Sequence, residues 1–417
     1  MNKDYLIFEY THTEKYKDYF GYAIGEAPYV FQRKLYFPKI IIEKYINNLN
    51  LIKYEDKQIL NQKEKKINNT KMMEQLKKKE PKGLPNIGGI CYMNALLQCF
   101  YYCLPMTNYF LELDGNSIKE LGIMSKGYYN FVNNLFLGCN NPAQNFKDAV
   151  MFIDKSFIGT EGKDSKDLAI LTLSEINQEL KKNNNSILYS NEIESNPYNK
   201  ISVYEEKLAL DKINNNSTII SDTFFYDILY EQICESKINC EYSNLYYDIQ
   251  SDNIIIFELE KIYNKIHKGN TSNFSISIEE CLENYSKEER IKCPFCNTNT
   301  LKLKKMICSL PQIFIFVMSR GKDAKFKCKI NFKKEIEMGK FYNPVSEKYR
   351  SYNTKYELIG ATLAFDWYKG SGHTIAFCKT YKNNEYYIFN DSKAWKSDFS
   401  KIKDNIPYIL FYGRKKQ

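Results

Sequence analysis

Histidine is scarce in this chain: three occur among 417 residues, His12, His267 and His373. Any mechanism that needs an imidazole base therefore has few candidates. Long apolar runs are missing as well. The strongest, Ile313–Met318 and Ile254–Phe257, have the length of strands and are far too short to span a bilayer. Asp4 and Glu9 interrupt any apolar start, which argues against a secretory leader. No long block of like charges occurs. The net charge of +9, from 59 basic and 50 acidic residues, therefore does not demand nucleic acid, and no membrane partner is expected. There is no internal repeat and no strand–helix alternation of the doubly wound kind.

Cysteine, by contrast, is plentiful. The twelve cysteines are scattered without a compact framework. With no export signal they read as reduced thiols, metal ligands or a catalytic group, which implies cytoplasm or nucleus. Hydrophobic content of 43% allows a sizeable core. Residues 1–52 mix aromatics with charge and form an accessory segment of a few strands or a small helical unit. Within it KIIIEKYINNLNLI has near-helical apolar spacing. Residues 53–82 are charged and read as a linker or a solvated helix. The main domain begins at residue 83.

In that domain helices come first. Cys91–Leu104 carries Met93, Leu96, Leu97, Phe100, Cys103 and Leu104 at helical spacing with a wide apolar face. Further helices are expected near 125–136 and 164–181, and the Asn-rich stretch 182–216 reads as a flexible insertion. Then come strand-like runs bounded by turn residues: IIIFELEKI, LKLKKMICSL, QIFIFVMSR, KFKCKINF, YELIGATLAF, TIAFCKTY, YYIFND and YILFYGR. Helices followed by an antiparallel sheet argue α+β.

The stretch GLPNIGGICYMNALLQ, residues 83–98, raises the chemical question. Gly88 and Gly89 permit a tight turn, and Cys91 then sits in the first turn of a helix. Free N–H groups and the macrodipole there favour a thiolate. The Cys91 N–H is free to donate to an oxyanion, and Asn86 is a candidate second donor. A buried structural thiol explains the local pattern as well. The rest of the chain breaks the tie. His12 lies in the accessory segment and His267 in a polar turn. His373 follows Gly370 and Gly372 and opens a strand of alternating apolar residues. Seventeen residues on, YYIFNDS ends a second strand in Asn390 and Asp391. A hairpin turning near Lys382–Asn384 would bring these beside His373, where an amide or carboxylate can hold the imidazole tautomer.

These segments resemble the ubiquitin-specific proteases. GLPNIGGICYMNALLQ looks like their cysteine box, GHTIAFCKTYKNNEYYIFNDS like their histidine box, and PYILFYGRK like their closing strand. The resemblance implies a papain-like cysteine peptidase with helical thumb, antiparallel β palm and β fingers. It implies cleavage of the isopeptide or peptide bond after the C-terminal glycine of ubiquitin, with no cofactor for catalysis. Carried over, Cys91 is the nucleophile, His373 the base and acid, Asn390 the orienting residue, Asp391 its partner or substitute, and Asn86 the oxyanion donor. Gly372 and the acids Asp164 and Asp167 of GKDSKDLAIL would meet the ubiquitin tail. LPQIFIFVMSRG resembles the family strand that ends in arginine, here Arg320. Ile90, Ala95, Thr374 and Asp366 depart from the usual pattern. None removes a catalytic atom.

The family's fingers often carry zinc. KCPFCN supplies Cys293 and Cys296, but the upstream pair in INCEYSN offers Cys240 and then Ser243, a poor ligand. Cys234 and Cys281 stand at unhelpful spacings. The expectation is a three-cysteine site, Cys240, Cys293 and Cys296, with weakened or lost zinc. The expected partners are ubiquitin, ubiquitinated proteins and an activating protein. The competing readings are a catalytically impaired ubiquitin-binding scaffold and a protease for another ubiquitin-like modifier. A basic zinc-ribbon nucleic-acid binder finds neither a clustered basic face nor complete cysteine pairs.

Overall fold

The computed structural model describes residues 5–9, 29–31, 34–38, 74–159, 163–182, 197–213, 217–236, 240–267, 275–321, 326–345, 350–365, 372–403 and 405–416. His12, the run KIIIEKYINNLNLI, most of 53–82 and Asp366 lie outside these residues. The chain divides into two units, Met1–Met72 and Met73–Gln417. In the first, β1 (Tyr5–Glu9), β2 (Tyr29–Phe31) and β3 (Lys34–Pro38) form an antiparallel sheet in the order β1-β3-β2.

The second unit begins ahead of residue 83. Leu76 is buried, Lys82 Nζ donates to the Gly138 and Cys139 carbonyls, and Gln98 Nε2 donates to the Lys82 carbonyl at 2.9 Å. The end of the expected linker is thus packed into this unit. A helical layer follows: α1 (Cys91–Tyr101), α2 (Leu104–Leu111), α3 (Gly115–Glu120), α4 (Ile123–Leu137), α5 (Gln144–Ile153) and α6 (Ser165–Lys182). Every residue of α1 is buried, polar ones included, because α1 lies between the other helices and the main sheet. Phe100 joins the two layers edge-on, with ring centroids 6.5 Å from Tyr128 of the helical layer and 5.6 Å from Phe411 of the sheet.

That sheet runs β16-β15-β14-β13-β17-β10-β6, with β12 beside β13. Its strands are β6 (Ile255–Glu258), β10 (Ile313–Ser319), β12 (Glu335–Glu337), β13 (Lys355–Phe365), β14 (His373–Lys379), β15 (Tyr386–Asn390), β16 (Lys393–Ser397) and β17 (Ile406–Arg414). All pairs are antiparallel except β10 with β6. IFIFVM is buried on both faces, which explains a continuous apolar run rather than alternation. Arg320 ends that strand and is buried, its Nη1 donating to the Phe326 and Cys328 carbonyls. A second sheet, β5-β4-β9-β8, comprises β4 (Tyr226–Cys234), β5 (Tyr246–Asp252), β8 (Glu289–Ile291) and β9 (Leu301–Ile307).

Four expectations change. The Asn-rich stretch contains a helix, α7 (Lys200–Ile213), whose Tyr204 is buried against Leu229 and Met306; a partly apolar face outweighs the polar composition. IIIFELEKI is a short strand followed by a helix at Leu259–His267, because Leu259, Ile262 and Tyr263 recur at helical rather than alternate spacing. His267 ends that helix half-buried, its ring 4.5 Å from Tyr263 rather than in an open turn. KFKCKINF pairs only over Lys329–Asn331, beside Ser275–Ser277.

Gly83 lies directly against the backbone that follows β15. A Cβ there would lie 2.3 Å from the Asp391 carbonyl oxygen and 2.4 Å from the Ser392 carbonyl carbon, both backbone. Gly83→Ala is expected to cost roughly 1–3 kcal/mol and to lower the thermal midpoint by a few degrees. Gly115→Ala, whose Cβ meets open space, should leave it unchanged or raise it. Differential scanning calorimetry of the two variants checks this.

Candidate active site

Two chain segments build the site, and each is shaped by its own residues. Gly88 and Gly89 have φ of +86° and +73°, the left-handed region that a side chain resists. They turn the chain so that the Ile90 N–H donates to Asn86 Oδ1 at 2.9 Å and Cys91 becomes the first residue of α1. Lys147 of α5 fixes the same turn by donating to the Ile87 carbonyl at 2.7 Å. The second segment is the hairpin β14–β15. Asn383 and Asn384, both at φ +55°, give the tight turn whose twist suits a hairpin. Its register pairs Ala376 with Phe389, which sets Asn390 diagonally from His373 on one face. Asn390 Oδ1 lies 2.7 Å from His373 Nε2. An amide oxygen there calls for the Nε2–H tautomer, which puts the acceptor lone pair of the ring on Nδ1.

Asp391 turns away from that pair. At φ +48°, it accepts from Asn86 Nδ2 at 3.1 Å with one carboxylate oxygen and from Asn94 Nδ2 at 3.0 Å with the other. Its backbone carbonyl takes the Leu84 N–H at 2.8 Å. Asp391 therefore ties the cysteine segment to the histidine hairpin. Cys91 Sγ is 4.0 Å from the carbonyl oxygen of Gly372, an exposed residue beside His373.

At Cys91 the electrostatics run against the expected lowering. Burial pushes the Cys91 thiol above its ordinary range, and the Asp391 carboxylate pushes the same way. Backbone hydrogen bonds from Thr374, Tyr92 and Cys91 itself pull it down without winning. The helix start supplies donors, but desolvation of a charged sulfur outweighs them.

The two expected acids share one neighbour, Lys166 Nζ, 3.9 Å from Asp164 and 3.2 Å from Asp167, but differ in their other contacts. Asp164 immediately precedes α6, accepts the Lys166 N–H at 2.8 Å, and takes the Tyr408 hydroxyl. Its carboxylate is spent on holding the helix start against β17. Asp167 is more exposed, with Lys166 Nζ 3.2 Å away. Asn94 stood in the sequence as part of the cysteine box but without a role, and Lys147 and Tyr408 did not stand out, since an amine or a phenol has no signature until the fold brings it to its partner.

At the far end of β4, four sulfurs gather: Cys234, Cys240, Cys293 and Cys296, all within 4.8 Å of one another. The fourth member is Cys234, at the end of a strand, not Ser243, which is exposed. Five intervening residues bring the chain back, so the second pair is Cys-x5-Cys rather than the compact spacing expected. Cys281 is buried in a different cluster. The sulfurs of Cys234 and Cys296, and of Cys240 and Cys293, are 3.6 Å apart. Zinc–sulfur bonds of about 2.3 Å in a tetrahedron need edges of ~3.8 Å, so the cluster fits that ion. Thr298 and Thr300 hydroxyls lie 2.9 Å from Cys296 Sγ and 3.2 Å from Cys234 Sγ, as partners of thiolate ligands do.

Residues 82–412 match the model of the ubiquitin carboxyl-terminal hydrolase family. The chain belongs to that family. Among its relatives, ubiquitin carboxyl-terminal hydrolase 21 of Rattus norvegicus is 23% identical over 367 residues, covering 79% of this chain and 61% of that protein. Ubiquitin carboxyl-terminal hydrolase 9 of Arabidopsis thaliana is 31% identical over 157 residues, 34% of this chain and 17% of that protein. The chain thus spans less than two thirds of these relatives' length. In structure it is similar to Ubp8 in the SAGA Ubp8/Sgf11/Sus1/Sgf73 DUB module bound to ubiquitin aldehyde. The TM-score is 0.58 at 16% identity, over 82% of this chain and 71% of that one. The α+β fold expected of the family, a helical layer on an antiparallel sheet with a second sheet beyond, is the fold observed.

The raised thiol gives a test. Alkylation of Cys91 by iodoacetamide, followed by peptide mass spectrometry, should reach half its maximal rate above about pH 8.5, the ordinary thiol midpoint. Asp391→Asn removes a negative charge and should move that midpoint down. A midpoint well below the ordinary value in the parent chain would contradict the assignment.

Proposed function

We propose that this chain is a thiol hydrolase that cleaves the isopeptide or peptide bond after the C-terminal glycine of ubiquitin. The observation that carries this reading is the Cys91 helix start bound through Asp391 to the hairpin that holds His373 against Asn390. Cys91 Sγ attacks the glycine carbonyl as His373 Nδ1 takes the thiol proton. The resting thiol makes that transfer part of the attack. The Cys91 N–H and the second amide hydrogen of Asn86 receive the oxyanion, Asn86 being held by Ile90 and Asp391. His373 returns its proton to the departing lysine amine. It then takes a proton from the water that breaks the thioester. Gly372, beside the sulfur, leaves room for a tail without side chains. Of the two acids, Asp167 has the more exposed carboxylate for a basic tail.

Zinc belongs to the reading as a structural ion. Cys234, Cys240, Cys293 and Cys296 would hold it, and it would pin the ends of β4 and β8 together, away from the chemistry. The Ubp8 neighbours are solved with Sgf11, Sus1 and Sgf73, which favours a requirement for protein partners here as well. Twelve unpaired cysteines fit a reducing compartment, cytoplasm or nucleus.

Ubiquitin carrying a thiol-reactive C-terminal electrophile, weighed by mass spectrometry after mixing, tests the activity. One ubiquitin should add to the parent chain and none to Cys91→Ala. No adduct, with unmodified ubiquitin still bound, would favour the impaired scaffold. Reaction with a different modifier alone would favour the other protease. For the ion, inductively coupled plasma mass spectrometry should find one zinc per chain. Cys234→Ser should lose it and Ser243→Ala should keep it.

A further inference from the structure

Asn94 is the third residue after Cys91 in a helix that is buried on every side. Its own exposure is 3%. Its amide nitrogen faces three acceptors: the Leu84 carbonyl at 3.2 Å, the Pro85 carbonyl at 3.2 Å and Asp391 Oδ1 at 3.0 Å. Three acceptors around one nitrogen fix which end of the amide is which. Its oxygen Oδ1 is buried and has no hydrogen-bond partner among the described residues. An apolar side chain of similar volume would avoid that loss, so the position is explained by what the nitrogen does rather than by packing.

We infer that Asn94 is a positioning residue for the reaction, acting through Asp391. This rests on the hydrolase reading above. Asp391 bridges two amides, Asn86 and Asn94, one on each carboxylate oxygen. Asn94 sits on the rigid helix and Asn86 on the turn ahead of the nucleophile. With Asn94 holding one oxygen, the carboxylate plane is fixed and the other oxygen is aimed at Asn86 Nδ2. That leaves the remaining Asn86 hydrogen directed at the oxyanion. Without Asn94, the carboxylate is free to rotate about its own side chain and Asn86 loses its orientation. The same nitrogen bonds Leu84 and Pro85, so it also sets the path of the segment leading to the glycine turn. The relay has a definite order: helix, carboxylate, oxyanion donor. Binding of the ubiquitin body takes no part in it, so the effect falls on turnover and spares affinity.

The experiment is steady-state hydrolysis of ubiquitin bearing a C-terminal fluorogenic amide by a double-mutant cycle, with thermal melts alongside. Asn94→Ala should lower kcat about 10- to 100-fold, as small misplacements of catalytic groups do, with KM within about twofold. In a background of Asp391→Ala, the same change should lower kcat no further, whereas a purely structural role would add its loss in both backgrounds. Asn94→Asp alone sets two carboxylates against each other and should be worse than Asn94→Ala. Combined with Asp391→Asn, which restores a donor facing an acceptor, it should regain part of the rate. Additive losses, or a swap no better than Asn94→Asp alone, would overturn the inference. A parent chain with no turnover would instead refute the hydrolase reading on which it rests.

Discussion

One carboxylate carries the architecture of the site. Asp391 accepts amide donors from Asn86 and Asn94, and its backbone carbonyl takes the Leu84 N–H. These bonds span about three hundred residues of sequence, from the turn before α1 to the end of β15. A hydrogen bond to a charged group contributes about 1.5–3 kcal/mol, enough to set one loop against another. The close approach requires Gly83, whose missing side chain lets the two backbones meet. Asn390 and Asp391 are neighbours yet serve opposite sides, because Asn390 ends β15 whereas Asp391, at φ +48°, has already turned out of the strand. Asn390 holds the imidazole and Asp391 holds the cysteine segment.

The same carboxylate has an electrostatic effect at Cys91. It adds to burial in keeping the Cys91 sulfur protonated. The carboxylate that fixes the placement thus also adds to the upward push that burial gives the thiol. A thiol pushed upward reacts more slowly with small oxidants or alkylators near neutral pH, since the thiolate is the reactive form.

Much of this was legible in the sequence. Gly88, Gly89 and Cys91 marked the turn and helix start. The asparagines at 383 and 384 marked the hairpin, and its length placed Asn390 by His373. The strand YELIGATLAF was read from its β-branched and apolar run and is the centre of the sheet. What escaped was whatever depends on three-dimensional meeting. Asp391 and Asn390 are adjacent letters, and only the register separates their tasks. Cys234 could not be joined to Cys240 because the return of the chain beyond β4 has no local code. Lys393–Ser397, KAWKS, is a largely exposed edge strand with too little apolar content to announce itself. The helix Lys200–Ile213 was hidden by surrounding asparagines.

The most direct test of the account is turnover by Asp391→Ala, measured with ubiquitin bearing a C-terminal fluorogenic amide and set beside its melting curve. If one carboxylate unites the two segments, kcat falls about 100-fold or more while KM and the cooperative fold persist. Turnover equal to that of the parent chain would show that the cysteine turn and the histidine hairpin are aligned without it, and would contradict the account.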